Sequence, residues 1–322
     1  MILGRNRPNT IRYSIQSVID QTYDPIELIV VDDASDPPLS VAVERSSLNA
    51  IAFYRSDENL GEGRAREYAL GLASGRFLIY LDDDDLLLPD AVETMLRAYL
   101  ATSDACFVAG ARWLFDDDGH RTRFRHPRFR MRKGVRDAIL AGFTLVPGQV
   151  LFDADLLRDI GGWSDIRPSG TDRDMFLRLT VRGKPLLIPH PVLDYRVHPG
   201  QRSRSSGAGP DRPFLQEFAA ALPAKERERA RRHLSVWREA IVAESDFRDG
   251  HYGSALRHSF AASRAAPDLA LSRLMAPALA WRLFKSLVAA LLGSRITAKI
   301  IESKDRLRIA RHREPGLGDE AS

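Results

Sequence analysis

Along the first hundred residues apolar runs end repeatedly in acids. "IELIVVDDAS" (26–35) is a β-branched run that closes on acidic and small residues, the pattern of a buried strand delivering side chains to a loop. "AIAFYRS" (50–56) and "RFLIYLDD" (76–83) repeat the form. Between them, "TIRYSIQSVIDQTY" (10–23) and "GEGRAREYALGLASG" (61–75) read as helices, and Gly75 stands where a C-cap would close the second. Strands alternating with short helices predict an α/β fold: a Rossmann-like, mostly parallel sheet flanked by helices. Ligands of such sheets lie beyond the carboxyl ends of the strands. Asp32 and Asp33 end one run and Asp82 to Asp85 end another, so both clusters are expected to face one crevice.

The pattern changes from about residue 105. "ACFVAGARWLFDDDGH" (105–120) reads as a strand entering a turn, and the basic stretch "RTRFRHPRFRMRKGVR" (121–136) follows. A helix near 134–142, a strand near 148–153 and a helix near 155–160 lead into "GGW" (161–163). "PLLIPHPVLDYRVH" (185–198) reads as a strand pair broken by prolines, and "LLLPD" (86–90) as the start of a helix. The Ser-, Gly- and Pro-rich "RSRSSGAGPDRP" (202–213) marks a boundary, giving one domain over 1–205 and an almost wholly helical region over 206–322.

Composition narrows the class. With 322 residues, 44% hydrophobic and 28% charged, the chain is an ordinary globular protein rather than a disordered one. Its formal charge is only +4, but lysine supplies just six of the 47 basic residues; arginine suits phosphate or carboxylate, although an Arg-rich genome gives the same bias. The single Cys106 excludes an intrachain disulfide, and no secretory signal pattern opens the chain, so a cytoplasmic location is expected. "LMAPALAWRLFKSLVAALL" (274–292) is interrupted by Pro277, Arg282 and Lys285 and is read as non-spanning. Segment 274–313 fits equally a peripheral contact with the inner face of an anionic membrane or a helix-on-helix core.

The acidic run carries the chemistry. Carboxylates about 4 Å apart repel by roughly 4 kcal/mol at an effective dielectric near 20, so a buried cluster needs a counter-charge. A divalent cation is the simplest, and hard ions commonly take one or two carboxylates plus substrate phosphates. "FDDDGH" (115–120) is the internal control: Gly119 follows its acids and no apolar segment resumes, so it reads as a polar hairpin turn. Asp82 to Asp85, by contrast, sit between two apolar segments.

Five motifs in order then resemble the family 2 glycosyltransferases of the GT-A fold. They are "NRPNTIRYSIQSVIDQTYDPIELIVVDDASD" (6–36), "ENLGEGRAREYAL" (58–70), "YLDDDDLLLPD" (80–90), "GGWSDIRPSGTDRDMFLRL" (161–179) and "DYRVHPGQRSRS" (194–205). The resemblance covers roughly the first 200 residues. It implies a nucleotide-sugar-binding half over 1–104 and an acceptor-side half over 105–205. Asp33, with Asp32 beside it, would accept hydrogen bonds from the base or ribose. Arg66 would contact the nucleotide or its phosphate, and Asp82 the ribose or metal-bound water. Asp84 would bind Mg²⁺ or Mn²⁺ against the donor diphosphate, with His198 as a second ligand. Asp172 would be the general base that takes the proton of a glycan or lipid-linked acceptor, with inversion at the anomeric carbon.

Bland uses compete for several of these residues. Asp174 reads as a first-turn helix carboxylate, Trp163 equally as an acceptor platform or as filler behind the Gly-Gly turn, and Arg66 as a partner of Glu62 or Glu67. Against the family pattern two or three residues of the first strand are missing, Leu3, Gly4 and Arg5 stand where its Pro-Thr-Tyr would be, and a start codon placed too far downstream is one expectation. Thr171 and Glu67 also replace a Glu and an Asn of the pattern. A non-catalytic sugar-nucleotide scaffold is the alternative function. A receiver-type signalling domain fails on length and on the later motifs. For the basic stretch a solvated loop is the default, an acceptor-side surface for a phosphate-bearing lipid carrier or anionic glycan the alternative, and nucleic-acid binding a weaker third reading, since no recognised motif accompanies it. In the tail, "FRDGHYGSALRHSFAASRAAP" (247–267) resembles one helix pair of a tetratricopeptide repeat, expected to pack on the catalytic domain or on another copy of the chain.

Overall fold

The computed structural model describes residues 1–40, 43, 51–116, 120–124, 135–140, 145–165, 170–198 and 213–265. Most of the basic stretch 121–136 and all of segment 274–313 lie outside them. In chain order the elements are β1 (Ile2–Gly4), α1 (Pro8–Ile19), β2 (Leu28–Asp32), β3 (Ile51–Arg55), α2 (Glu62–Leu72), β4 (Phe77–Leu78), β5 (Leu81–Asp82), β6 (Leu86–Leu87), α3 (Ala91–Leu100), β7 (Ala105–Phe115) and β8 (Arg121–Phe124). Then follow α4 (Val135–Leu140), a 3-10 turn at Pro147–Gln149, β9 (Val150–Asp153), α5 (Ala154–Asp159), α6 (Thr171–Arg182), β10 (Lys184–Arg196), α7 (Pro213–Ala221), α8 (Ala224–Arg248) and α9 (Tyr252–Ala265). They form two compact units, Met1–Arg128 with Thr144–Ser206, and Phe129–Phe143 with Gly207–Ser322.

The first unit holds two sheets. One is wholly parallel, in the order β3-β2-β1-β5. Every residue of β2 is buried, as expected where both faces of a parallel sheet are covered, and this explains why its sequence is a continuous apolar run rather than an alternation. Ile2, Val30 and Leu81 of this sheet share one core with Ile11 and Ile15 of α1, Met95 of α3 and Leu193 of β10. Burying each such side chain stabilises the fold by roughly 1.5–3 kcal/mol relative to exposure.

The second sheet runs β4-β9-β7-β10-β6, with β8 paired to β7. Here three expectations change. "RFLIYLDD" is not one strand: β4 pairs antiparallel with β9, whereas β5 pairs parallel with β1. Tyr80, fully buried and edge-on to Phe152 and Trp163 (5.8 and 5.0 Å between centroids), sits at the changeover. Residues 185–196 of "PLLIPHPVLDYRVH" belong to a single strand, β10, parallel to β7, and the register shifts around Pro185 and Pro191 absorb residues that have no N–H to give. "LLLPD" begins with a strand: Leu86 and Leu87 pair with Asp194 and Leu193, and α3 starts only at Ala91. In addition α2 ends at Leu72 with Ala73 as its C-cap, so Gly75 lies past the helix, where its N–H and that of Ser74 donate to Glu27.

β1 is only three residues long, and Met1 just before it lines a cavity of about 370 Å³ together with Val18, Ile26, Phe77, Ile79 and Leu96. The Met1 amine donates to the Ile79 carbonyl at 2.9 Å, and burial pushes its pKa down to about 5.

In the second unit α8 and α9 form a helical hairpin in which His258 meets Glu239 at 2.7 Å. Two neighbours on α4 reach α8: Arg136 pairs with Glu226 (2.9 Å), and the buried Asp137 with Arg229 (3.1 Å) and His233 (3.6 Å). No helix among the described residues is long and apolar enough to cross a membrane.

Candidate active site

The acidic run is held by helix α1. Pro8 occupies its first turn, where a missing N–H costs nothing, and Ile11, Ile15 and Val18 bury one face. Interleaved polar residues reach the chain around the run. Ser14 Oγ donates to the Asp85 carbonyl (2.8 Å), and Ser17 Oγ accepts from Leu87 N–H (3.1 Å). Gln21 donates to the Leu88 carbonyl (2.7 Å) and accepts from Val92 N–H (3.1 Å), while Thr22 N–H donates to the Pro89 carbonyl (2.8 Å). These contacts give the Gln-Thr pair its purpose, which sequence reasoning missed; the available signal was polar residues recurring within an apolar helical face.

Within the run the four carboxylates differ. Asp82 is 40% exposed at its side chain and meets Arg66 at 3.4 Å. Asp83 accepts from Arg5 N–H (2.9 Å) and Arg7 Nη1 (2.8 Å); burial, only partly offset by Arg7, pushes its pKa up to about 6. Asp85 is sealed, accepts from Arg196 N–H (2.9 Å), and is raised well above the ordinary carboxylate range by burial and by its neighbours Asp82 and Asp84. Asp84 points its Oδ2 at Arg7 Nη1 (2.9 Å) and at His198 Nε2 (3.2 Å). Arg196 Nε also donates to the Asp84 carbonyl (3.1 Å), which fastens the end of β10 to the run and sets His198 opposite Asp84.

At the end of β2 the acceptors are taken up differently. Asp32 has no exposure; its carboxylate accepts from Ser35 N–H (2.9 Å), Leu39 N–H (3.0 Å) and Arg55 Nη1 (2.7 Å). Burial would push its pKa up, but these hydrogen bonds outweigh it and hold the group below the ordinary value. Asp32, expected beside Asp33 at a nucleotide, is thus fully buried with its carboxylate taken up by these three donors. Asp33 accepts from Leu60 N–H (2.6 Å) and Gly61 N–H (3.1 Å) and so shapes the entrance to α2. Ala34 between these loops has a φ of 53°, a left-handed conformation unusual for a residue with a Cβ.

Arg66 on α2 is 4% exposed and lies 4.9 Å above the Trp163 ring. Burial works against its charge, but Asp82, Glu62 and Asp172 outweigh it and raise its pKa. Trp163 is buried against Tyr80 and Phe152, which resolves its two sequence readings in favour of packing behind the Gly-Gly turn. That turn is clamped from both sides: Glu67 accepts from Trp163 N–H (2.7 Å), and Arg178 donates to the Ile160 and Gly162 carbonyls (2.6 and 2.8 Å). Gly162, at φ 62°, has the Glu67 carboxylate where a Cβ would stand. Asp174 is held by Ser164 Oγ (2.7 Å) and Arg178 Nε (2.9 Å), whereas Asp172 accepts from the Arg173 N–H of its own helix (2.8 Å).

The structure thus brings Asp84 to His198, and Asp82 to Arg66 with Asp172 in electrostatic reach. A carboxylate oxygen and an imidazole nitrogen facing each other suit a divalent cation that completes its shell with phosphate and water. Among the described residues no group of three or more His, Cys, Asp or Glu is placed to hold a metal unaided.

Residues 2–161, about half the chain, match the family described as Glycosyl transferase family 2. An uncharacterised protein of Mycobacterium tuberculosis (strain CDC 1551 / Oshkosh) is 28% identical over 206 residues, 60% of this chain and 64% of that protein. The Escherichia coli UDP-Glc:alpha-D-GlcNAc-diphosphoundecaprenol beta-1,3-glucosyltransferase is 37% identical over 95 residues, 30% of this chain and 38% of its own length. These matches span less than two thirds of either relative. The crystal structure of S. aureus TarS 1-349 in complex with UDP-GlcNAc shares the fold, with a TM-score of 0.60 at 15% identity over 91% of both chains. Through residues 2–161 and the sheet architecture they build, the chain belongs to the family 2 glycosyltransferases and has the GT-A fold.

Proposed function

We propose that the chain is an inverting glycosyltransferase. It moves a sugar from a nucleotide-diphosphate sugar to a hydroxyl of a glycan or lipid-linked acceptor, with Mg²⁺ or Mn²⁺, in cell-surface polysaccharide or glycolipid assembly. The observation that carries this reading is Asp84 Oδ2 facing His198 Nε2 at 3.2 Å, from loops at the ends of two strands in different sheets. The E. coli relative's name, which joins a UDP-sugar donor to a diphosphoundecaprenol-linked acceptor, supports the substrate classes.

Asp84 and His198 would hold the cation, which when bound supplies positive charge against the departing diphosphate. Arg66, kept charged although buried, contacts the nucleotide or its phosphate, and Asp82 the ribose or metal-bound water. Asp33, which also accepts from Leu60 and Gly61 N–H before α2, accepts hydrogen bonds from the base or ribose. Asp172, at the start of α6 with its neighbour Asp174 tied down by Ser164 and Arg178, takes the acceptor proton. Attack on the face opposite the leaving group then inverts the anomeric carbon. Segment 274–313 remains the candidate contact with the inner membrane face that a lipid-linked acceptor requires.

A panel of nucleotide sugars with Mn²⁺ tests this, first by thermal shift and then by donor turnover. A matching donor raises the melting temperature, since it binds only the native state. Turnover stops on chelation and falls about 10²–10³-fold in Asp84→Ala. Wild-type turnover in Asp84→Ala sinks the cation assignment, and donor binding without turnover toward any acceptor or water leaves a scaffold protein instead.

A further inference from the structure

We infer that Arg7 is the built-in counter-ion of Asp84, which an incoming cation has to displace. The inference rests on the cation reading above and adds a residue to it. Arg7 immediately precedes Pro8 at the head of α1. The chain before it is stapled down: Arg5 N–H donates to Asp83 Oδ2 (2.9 Å), Asn6 N–H donates to Ser35 Oγ (2.9 Å), and Asn6 Oδ1 accepts from Asp36 N–H (2.8 Å). Asn6 itself takes a left-handed φ of 57°, which asparagine tolerates better than most residues. The backbone is thereby committed to a path that carries the Arg7 guanidinium over the acidic run.

There one nitrogen, Nη1, spans Asp83 Oδ1 at 2.8 Å and Asp84 Oδ2 at 2.9 Å. The Asp84 oxygen it contacts is the same one that His198 Nε2 approaches at 3.2 Å. A divalent cation on Asp84 and His198 would meet the guanidinium at contact distance, and two positive charges cannot share that oxygen without strong repulsion. Arg7 is 35% exposed at its side chain, so it has room to withdraw, and Asp83 remains to receive it. Arg7 thereby supplies positive charge to two of the four successive carboxylates, Asp83 and Asp84, while Asp82 meets Arg66. It also makes cation binding an exchange of one positive charge for another, weaker than the ligand pair alone would give.

The test measures free Mn²⁺ by electron paramagnetic resonance in titrations of the full chain. Arg7→Met is expected to bind Mn²⁺ about five- to tenfold more tightly than wild type, and Asp84→Asn to lose binding. In chelator, Arg7→Met melts below wild type, and saturating Mn²⁺ raises its melting temperature by more than it raises that of wild type. Should Arg7→Met not fold, Arg7→Lys serves, since one ammonium on a shorter stem spans both carboxylates poorly: tighter Mn²⁺ binding supports the inference, and equal or weaker binding overturns it. Binding that Asp84→Asn abolishes and Arg7 substitutions leave unmoved overturns the Arg7 role alone. Absence of Mn²⁺ binding in every variant, wild type included, overturns the cation reading with it.

Discussion

Asp32–Asp33 and Asp82 to Asp85 end two strands that flank β1 in one parallel sheet, yet the two clusters use their charge in opposite ways. At β2 the acceptors are filled mainly by N–H groups of the backbone, from Ser35, Leu39, Leu60 and Gly61. At β5 Asp82 and Asp84 face side chains, Arg66, Arg7 and His198. A backbone donor leaves only if its loop unfolds, whereas a side chain can turn aside. The carboxylates of β2 are therefore fixed in place, as are Asp83 and Asp85, which accept from Arg5 and Arg196 N–H, whereas the contacts of Asp82 and Asp84 are exchangeable. The division recurs within three residues at the head of α6, where Asp174 is tied to Ser164 and Arg178 and Asp172 is the carboxylate proposed to act on substrate.

The comparison is open to attack at several points. The largest effect is expected at Asp172: Asp172→Asn loses about 10²–10⁴-fold in transfer rate, the range for removing a general base, with the urea unfolding midpoint unchanged. Full activity in that variant would leave Asp172 as no more than a first-turn carboxylate of α6. Asp32→Ala should do the reverse. It strands buried donors and lowers stability by about 3 kcal/mol in urea unfolding, while the Mn²⁺ affinity of the remaining fold holds. A loss of metal binding without loss of stability would erase the distinction between the clusters. The effect also has a pH signature. Because the folded pKa of Asp32 is depressed, its contribution is fully present above the unfolded carboxylate pKa of about 4 and fades as pH falls through the folded value. The gap between wild type and Asp32→Ala should thus narrow below pH ~4. The smallest effect concerns the backbone: Ala34→Gly removes the cost of a left-handed alanine and should stabilise by up to about 1 kcal/mol, read as a rise in melting temperature. Destabilisation there would mean that the Ala34 methyl group contributes packing that outweighs its strain.

Strand-end acids, the helical spacing of α1 and α2, and the ordered motifs were legible in the sequence because burial and turn chemistry leave period and punctuation behind. What was not legible is who meets whom. Nothing local in "RFLIYLDD" says that the chain changes sheets at Tyr80, since either half alone is an acceptable buried strand. The prolines of β10 argued for a break, but bulges in the pairing with β7 absorb them. Ser14, Ser17 and Gln21 could be seen as polar positions on an apolar face, yet their partners lie about seventy residues away. Glu67 was read as a departure from a family pattern and as a partner for Arg66; the turn it clamps lies 96 residues further on.

Met1, the residue just before β1, has a further use at the bench. In a chain beginning at Met1, the amine with a pKa of about 5 is unprotonated at neutral pH, while ordinary lysines carry a proton. In the closed sheet it is walled in beside Ile79. An acylating reagent reaches it only in molecules whose first strand has momentarily left the sheet, so its labelling rate is a clock for the opening of the strand that lies between Asp32 and Asp82.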